Sequence, residues 1–394
     1  MAFFSKEGRK FKAIGDRLVK ELSPIRNTKK VVLVMAPYFY EGTVHEGYLQ
    51  RVQAIDRELL DETFRVYVDF ENKEPFIFDR VDENHLYITL PPKEVQRTKM
   101  LSRTLQQFDM VYIHSVMRLM PDIVGGSVIE MLRNSSLKCV WDVHGAVPEE
   151  FAFRDNYYEA QNAGEAEEFL INRADCVVCV NKATKDHLER KYDTKIKNCV
   201  ILPIFSNLKK DDGVTDVKSD DNYPTVIYAG GLQPWQNIGL MKHVMLSTEH
   251  PCTYLFYTPE PEEFREGNFS PRAGIVRSSG FVPIDELNEI YAKAHFGFIL
   301  REDTVLNNVA CPTKLIEYIQ KGIVPIVDTK RIGDFELMGL KCLFYKDFIE
   351  KLPSFEDYAA MAADNYNVLD LLNKYHDEGI AKLREVIYDS QSAF

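Results

Sequence analysis

The chain has 394 residues, 45% of them hydrophobic, and a formal net charge of −12. That length exceeds one ordinary core, so two domains are expected, and the unexceptional glycine, proline and charge content excludes a disordered or fibrous chain. The acidic balance argues against nucleic acid as a general partner, and no apolar run approaches the roughly 18–20 residues that a spanning helix needs.

The first thirty residues stand apart, carrying a net +6 against −18 for the remainder. Phe3, Phe4, Phe11, Ile14 and Leu18 recur among these cations at near-helical spacing. Two readings stay open for residues 1–28: an interfacial helix touching anionic lipid at the inner face of the membrane, or a solvated first helix packing its stripe on the domain. The sequence predicts no leader peptide before the first strand.

From there apolar runs of the kind buried parallel strands show alternate with helical patterns. Strands are expected at Lys30–Ala36, Phe64–Phe70, Met110–His114, Lys138–Val143 and Cys176–Val180, with helices at Gly47–Leu60, Lys93–Phe108, Gly125–Arg133 and Glu159–Arg173. This β-α-β alternation predicts a doubly wound open sheet. Cys176 and Cys179 form a C-x-x-C inside a valine-rich strand, and no second pair lies at zinc-site spacing. With seven scattered cysteines in all, reduced thiols and a cytoplasmic address follow.

The polar, acid-rich stretch 208–223 is expected to link residues 1–207 to a second domain at 224–352. The pattern restarts there. Strands are expected at Thr225–Ala229, Thr253–Tyr257, Gly274–Val276, Phe296–Leu300 and Val324–Val327, and helices at Gln236–Leu246, Ile284–Ala294 and Thr313–Lys321. Residues 353–394 read as helical, with a stripe of Tyr358, Met361, Tyr366, Leu369, Leu372 and Tyr375, and are expected to cross back onto the first domain. The predicted fold class is α/β, with two Rossmann-like doubly wound domains facing across a cleft. A ligand is expected at the C-terminal ends of the strands.

The phosphate loop, the dinucleotide fingerprint, the zinc-protease pair and the nucleophile elbow are all missing from the sequence. In their place stands Pro312-Thr313-Lys314-Leu315-Ile316-Glu317-Tyr318, followed by Lys321-Gly322-Ile323-Val324-Pro325. Pro312 suits a helix start and Gly322 a helix end. Lys314 and Glu317, three apart, share a helix face near the terminus whose free N–H groups attract anions. Two readings fit this segment alone: a seat for a diphosphate and a ribose, or an amphipathic helix with an exposed ion pair.

The ordered features resemble those of glycosyltransferases with the two-Rossmann-domain (GT-B) architecture, closest to the retaining enzymes of family 4. Pro312 to Pro325 resembles the donor-binding segment of that family, Gly280-Phe281-Val282 with Leu287, Tyr291 and Ala294 resembles the approach to it, and Arg173-Ala174-Asp175 with Val177, Val178 and Val180 resembles the strand after "Ala-Asp". The resemblance implies that Glu317 binds the donor ribose and that Lys314 faces the donor phosphates. It also implies that His144, in Asp142-Val143-His144-Gly145, lies near the donor sugar; a buried structural histidine is the other reading. Gly230 and Gly231, with Gln236, begin the loop after the first strand of the second domain, where backbone N–H groups approach a phosphate. That loop usually carries a basic residue in the family. Here Gln233, Trp235 and Gln236 stand instead, so Arg301 is expected to supply the charge, the alternative being a pair with Glu302 or Asp303. His45, Glu46 and Gly47 resemble the glycine-containing loop on the acceptor side.

One departure matters. Where the family places the first acid of its spaced pair, eight residues before Glu317, this chain has Val309, with Asn307 as the nearest group able to bond a sugar. The expected activity is transfer of a sugar from a nucleotide-diphosphate sugar to a hydroxyl acceptor such as a glycan or lipid-linked glycan, retaining and without metal or other cofactor, in surface polysaccharide or glycoconjugate assembly. A catalytically inactive nucleotide-sugar-binding partner subunit and a nucleotide-sugar epimerase of the same architecture remain as alternatives.

Overall fold

The computed structural model describes residues 6–40, 47–70, 77–90, 100, 102–120, 126–205, 207–211, 223–265 and 269–388. The chain forms two units, Met1–Leu202 together with Glu378–Phe394, and Pro203–Asp377. The second unit thus begins upstream of the expected linker, and Leu208 is buried in its core, where the amide of Asn373 bonds both backbone groups of Leu208.

The first unit holds β1 (Val31–Met35), β2 (Phe64–Phe70), β3 (Phe78–Arg80), β4 (His85–Leu90), β5 (Met110–His114), β6 (Lys138–Val143), β7 (Cys176–Cys179) and β8 (Cys199–Ile201). They form one sheet in the order β3-β4-β2-β1-β5-β6-β7-β8, parallel except for the β3–β4 pair. Val31, Leu33 and Met35 of β1 pack into one hydrophobic cluster and Val32 and Val34 into another. Both faces are covered, which is why the strand is an uninterrupted apolar run.

The helix Lys6–Ile25 buries Phe11, Leu18 and Leu22 in the first of these clusters. This part of the apolar stripe packs on the domain, as the second of the two readings of residues 1–28 expects, and Arg9, Lys12, Arg17 and Lys20 are exposed; Phe3 and Phe4 lie outside the described residues. Among the described residues no helix is long and apolar enough to cross a membrane. None of the seven cysteines, all among the described residues, is joined in a disulfide.

The second unit holds β9 (Thr225–Ala229), β10 (Cys252–Tyr257), β11 (Gly274–Ser279), β12 (Phe296–Ile299), β13 (Val324–Val327) and β14 (Leu343–Phe344), all parallel, in the order β11-β10-β9-β12-β13-β14. Again the central strand alternates between two cores, Ile227 and Ala229 on one face, Val226 and Tyr228 on the other. The expected helix Gln236–Leu246 is interrupted at its start. A short 3-10 turn, Pro234–Gln236, ends at Asn237 with φ +55°, whose side chain caps the N–H of Leu240 at 3.3 Å, and the helix runs Ile238–Ser247. Asparagine tolerates this left-handed geometry and doubles as the cap.

A 34-residue helix, Phe355–Tyr388, closes the chain. Val368, Leu369 and Leu372 are buried in the second unit, and Leu383 and Ile387 in the first. Lys30 donates to the terminal carbonyls of Ile387 (3.2 Å) and Tyr388 (2.9 Å), and Lys138 to that of Val386, so cations meet the negative end of the helix dipole.

Candidate active site

In the second sheet the strand order reverses between β9 and β12, and such a switch point leaves a crevice at the strand C-termini. A cavity of about 280 Å³ lies there. Ala229 and Gly230 leave β9, Tyr257 ends β10, Phe281 and Val282 follow β11, and Arg301 follows β12. The helix Thr313–Gln320 completes the wall with Thr313, Lys314 and Glu317.

That helix is held by its opposite face. Leu315, Ile316, Tyr318 and Ile319 are buried, each contributing about 1.5–3 kcal/mol of transfer free energy, and the Tyr318 hydroxyl donates 3.2 Å to the carbonyl of Ile227 in β9. Pro312 stands at the N-cap, and Gly322, with φ +59°, follows the helix end as its sequence position predicts. With the apolar face anchored, the i, i+3 spacing turns Lys314 and Glu317 into the cavity together.

Lys314 reaches over Tyr228, its Nζ 4.1 Å from the ring centroid, and lies against Gly230, where any Cβ would overlap the ammonium. Burial, reinforced by the charge of Arg301 and opposed by Glu317, pulls the Lys314 pKa down to about 7. Arg301 also lines the cavity, and its buried Nε has no hydrogen-bond partner. Burial brings its pKa down to about 10. The acid pair proposed as its alternative partner is engaged elsewhere in part, since Asp303 pairs with Arg331 at 3.2 Å. Glu317 accepts from the Tyr291 hydroxyl at 3.3 Å; burial raises its pKa, while Lys314 and that hydrogen bond hold it back. Two cations and one carboxylate thus converge beside Tyr257, Phe281, Val282 and Leu287. Phe281 is 67% exposed, unusual for so large an apolar side chain.

Of the residues expected on the donor side, Gly230, Gln236, Arg301, Lys314 and Glu317 line this cavity. Gly231 lies just outside its lining, its carbonyl held by the Tyr228 hydroxyl and the Gln233 side chain packed where its Cβ would be. Asn307 is not brought to the cavity wall. It is fully buried, its Nδ2 donates 3.0 Å to the carbonyl of Glu302, and its Oδ1 has no partner. Val309 is buried at 3% exposure. Tyr228 and Tyr257 carry no site signal in the sequence, because aromatic residues within apolar strand runs read as core, while Phe281 belongs to the Gly280-Phe281-Val282 segment that resembles the approach to the donor segment.

His144 belongs to the first unit, one residue beyond β6. Asp142, fully buried, takes two hydrogen bonds from Arg51 (2.9 and 3.1 Å) and one from the Tyr112 hydroxyl (3.1 Å). Burial alone would raise its pKa, but Arg51, with His144 and His114, brings it down to about 2. His114 ends β5 opposite Asp142 in the register, and its Nδ1 lies 3.1 Å from Nε2 of His144. Burial holds His114 well below the usual imidazole range and pulls His144 down to about 4. The Tyr48 ring lies 4.7 Å from that of His144, and its hydroxyl bridges Arg118 and the carbonyl of His114. Among the described residues, His114, Asp142 and His144 are a cluster of metal-ligand type, their donor atoms within 4.8 Å of one another. Arg51 occupies both oxygens of Asp142, however, and its fixed charge works against a second cation there. Gly47 begins the helix Gly47–Leu59. His45 and Glu46 lie outside the described residues.

No protein-family model and no curated relative matches this sequence. Solved structures do. Anabaena HepE in complex with UDP and glucose superposes with a TM-score of 0.59 at 14% identity, covering 93% of this chain and 100% of its own. The E. coli trehalose-6-phosphate structure bound with UDP-2-fluoro glucose gives 0.58 at 9%, covering 90% and 99%. An alpha,alpha-trehalose-phosphate synthase (UDP-forming) from Burkholderia vietnamiensis gives 0.56 at 12%, covering 92% and 98%. The likeness establishes the fold, two Rossmann-like domains of the GT-B type, as the sequence motifs predict.

Proposed function

We propose that this protein is a glycosyltransferase that moves a sugar from a nucleotide-diphosphate sugar to a hydroxyl acceptor, with retention of configuration. The observation that carries the reading is the convergence of Lys314, Arg301 and Glu317 in one cavity at the switch point of the second sheet. As the glycosidic bond breaks, negative charge grows on the leaving diphosphate. Lys314 and Arg301, already desolvated and aimed at one volume, stabilise that charge without reorganising, and they take the neutralising role a metal plays elsewhere. Glu317, steadied by Tyr291, accepts from the ribose hydroxyls. His144 orients the sugar as a neutral hydrogen-bonding group.

The UDP and UDP-sugar ligands of the structural neighbours make UDP-sugars the first donors to test. A role in surface polysaccharide or glycoconjugate assembly, with a glycan or lipid-linked glycan as acceptor, is the setting we infer from the resemblance of the motifs. One observation favours a second reading, a nucleotide-sugar-binding subunit that has lost catalysis: Val309 is buried where the family has an acid.

A donor-hydrolysis and transfer assay with the wild type and Glu317→Ala tests the proposal. Transfer by the wild type and its loss in the variant support it; equal turnover by both removes the site. Calorimetric binding of a nucleoside diphosphate with no transfer to any acceptor moves the assignment to the binding subunit, and an altered sugar formed without acceptor moves it to an epimerase.

A further inference from the structure

We infer that His114 is a positioning residue that fixes His144 as the tautomer protonated on Nδ1, so that His144 presents an N–H donor to the substrate. The inference rests on the proposed transfer reaction for its role, and on the hydrogen-bond network alone for the tautomer.

Only one proton can occupy the 3.1 Å contact between His114 Nδ1 and His144 Nε2. Were His144 the donor, His114 would accept on Nδ1 and carry its own proton on Nε2. That atom is buried without a partner, and a buried N–H with no acceptor is among the costliest states a polar group can take. In the reverse arrangement His114 donates from Nδ1, and what remains on its Nε2 is a lone pair. The Oδ2 of Asp142 lies 3.6 Å from His114 Nδ1 and 3.8 Å from His144 Nε2, so it favours a proton in this contact from either ring, and the unpartnered Nε2 of His114 decides which ring supplies it. The carboxylate cannot swing away, because Arg51 and Tyr112 hold it from the other sides, and Arg51 is tied in turn to the carbonyl of Leu202 at 2.8 Å.

With Nε2 of His144 accepting, its proton sits on Nδ1, which becomes the donor the ring offers beyond the network. His144 is also the member of the trio that reaches solvent, with 11% of its side chain exposed against none for His114 and Asp142. The Tyr48 ring packs against the His144 ring at 4.7 Å, tilted by 41°, and restricts its rotation. The imidazole then serves as a neutral hydrogen-bond donor and does not act as a base.

The test uses the full chain labelled with ¹⁵N-histidine, whose nine histidines give a tractable long-range ¹H–¹⁵N spectrum. His144 is assigned by its disappearance in His144→Gln. The expected wild-type pattern is a protonated Nδ1 and a bare Nε2 for His144; a protonated Nε2, or an averaged pair, overturns the inference. His114→Leu is expected to collapse the pattern to an averaged one and to lower kcat roughly 10-fold or more with KM for the nucleotide sugar little changed, as outer-shell partners do. His114→Asn, which keeps a donor near the Nδ1 position, is expected to restore both. An unchanged kcat in a folded His114→Leu overturns the positioning role. If His114→Leu does not fold, the wild-type tautomer and the behaviour of His114→Asn decide. Absence of any transfer by the wild type defeats the proposed function but leaves the tautomer measurement to stand or fall by itself.

Discussion

The ammonium of Lys314 lies 4.1 Å from the centre of the Tyr228 ring and directly against the backbone of Gly230. Tyr228 cannot rotate away, since its hydroxyl is bonded to the carbonyl of Gly231. Its π-face offers the cation a partner that binds without neutralising it, leaving the charge available to an anion.

Gly230→Ala follows from that contact. The new methyl group would displace the far end of a flexible side chain and leave the backbone in place, so stability should change little. Nucleoside diphosphate affinity, by contrast, should fall about tenfold, or roughly 1.4 kcal/mol. Calorimetry with UDP on the two proteins reads this; equal affinities would show that Lys314 does not meet the ligand.

Lys314 also sets a pH dependence. In the free protein it loses its charge as pH rises through about 7, and a bound diphosphate raises that pKa by favouring the charged form. Binding of UDP-glucose, whose diphosphate does not titrate in this range, should take up a proton above pH 7 and weaken by up to about tenfold per pH unit. Calorimetry in buffers of different ionisation enthalpy counts the proton; zero uptake at pH 8 contradicts the assignment.

The same group affects stability. The unfolded chain binds its Lys314 proton up to the ordinary pKa and the folded chain only to about 7, so between the two the unfolded state holds more protons and stability rises with pH. Below pH 7 the fold carries a buried charge at a cost. Lys314→Met should therefore abolish diphosphate binding and yet raise Tm at pH 6, by ~2–4 °C for about 1 kcal/mol. A lowered Tm would mean the ammonium is better solvated than its surroundings indicate.

Glu317 should couple to the ribose. Glu317→Gln is expected to weaken UDP binding about tenfold or more, in the range of a charged hydrogen bond of ~1.5–3 kcal/mol. Against 2′,3′-dideoxy-UDP the two proteins should bind alike. A double-mutant cycle that returns no coupling places the sugar ring elsewhere.

Val309→Glu should not restore an acid to the site. The side chain is buried, so the carboxylate would enter the core unpaired, and thermal unfolding should report a loss of several kcal/mol. Unchanged Tm with higher turnover would show instead that position 309 opens onto the donor sugar.

Much of this was legible in the residues. Phe64–Phe70, Met110–His114, Lys138–Val143, Thr225–Ala229 and Val324–Val327 have the limits their sequence runs predict, because buried apolar side chains dominate each of them and outweigh the isolated polar residues Arg65, Asp69, His114 and Asp142. The strand His85–Leu90 was not anticipated although all six residues are buried: histidine and threonine dilute its apolar pattern. Phe78–Arg80 and Leu343–Phe344 are short and partly exposed, and carry no run to read. At the site, the spacing of Lys314 and Glu317 was visible because a helix turns spacing into a shared face. The meeting of His114 with Asp142 and His144 was not, since it depends on β5 and β6 being neighbours, and strand order is a property of the folded sheet. The reach of Lys314 to Tyr228 was hidden for the same reason.

The closing helix has a consequence for how the protein is made. Residues 1–202 leave the ribosome long before Leu383 and Ile387, which fill their core, and before the carbonyls that Lys30 and Lys138 cap. The nascent first sheet must wait, incompletely covered, while the whole of the second is synthesised. A premature stop in the last turns of the message therefore wounds the beginning of the molecule, and residues 1–202 expressed alone should be an aggregation-prone fragment.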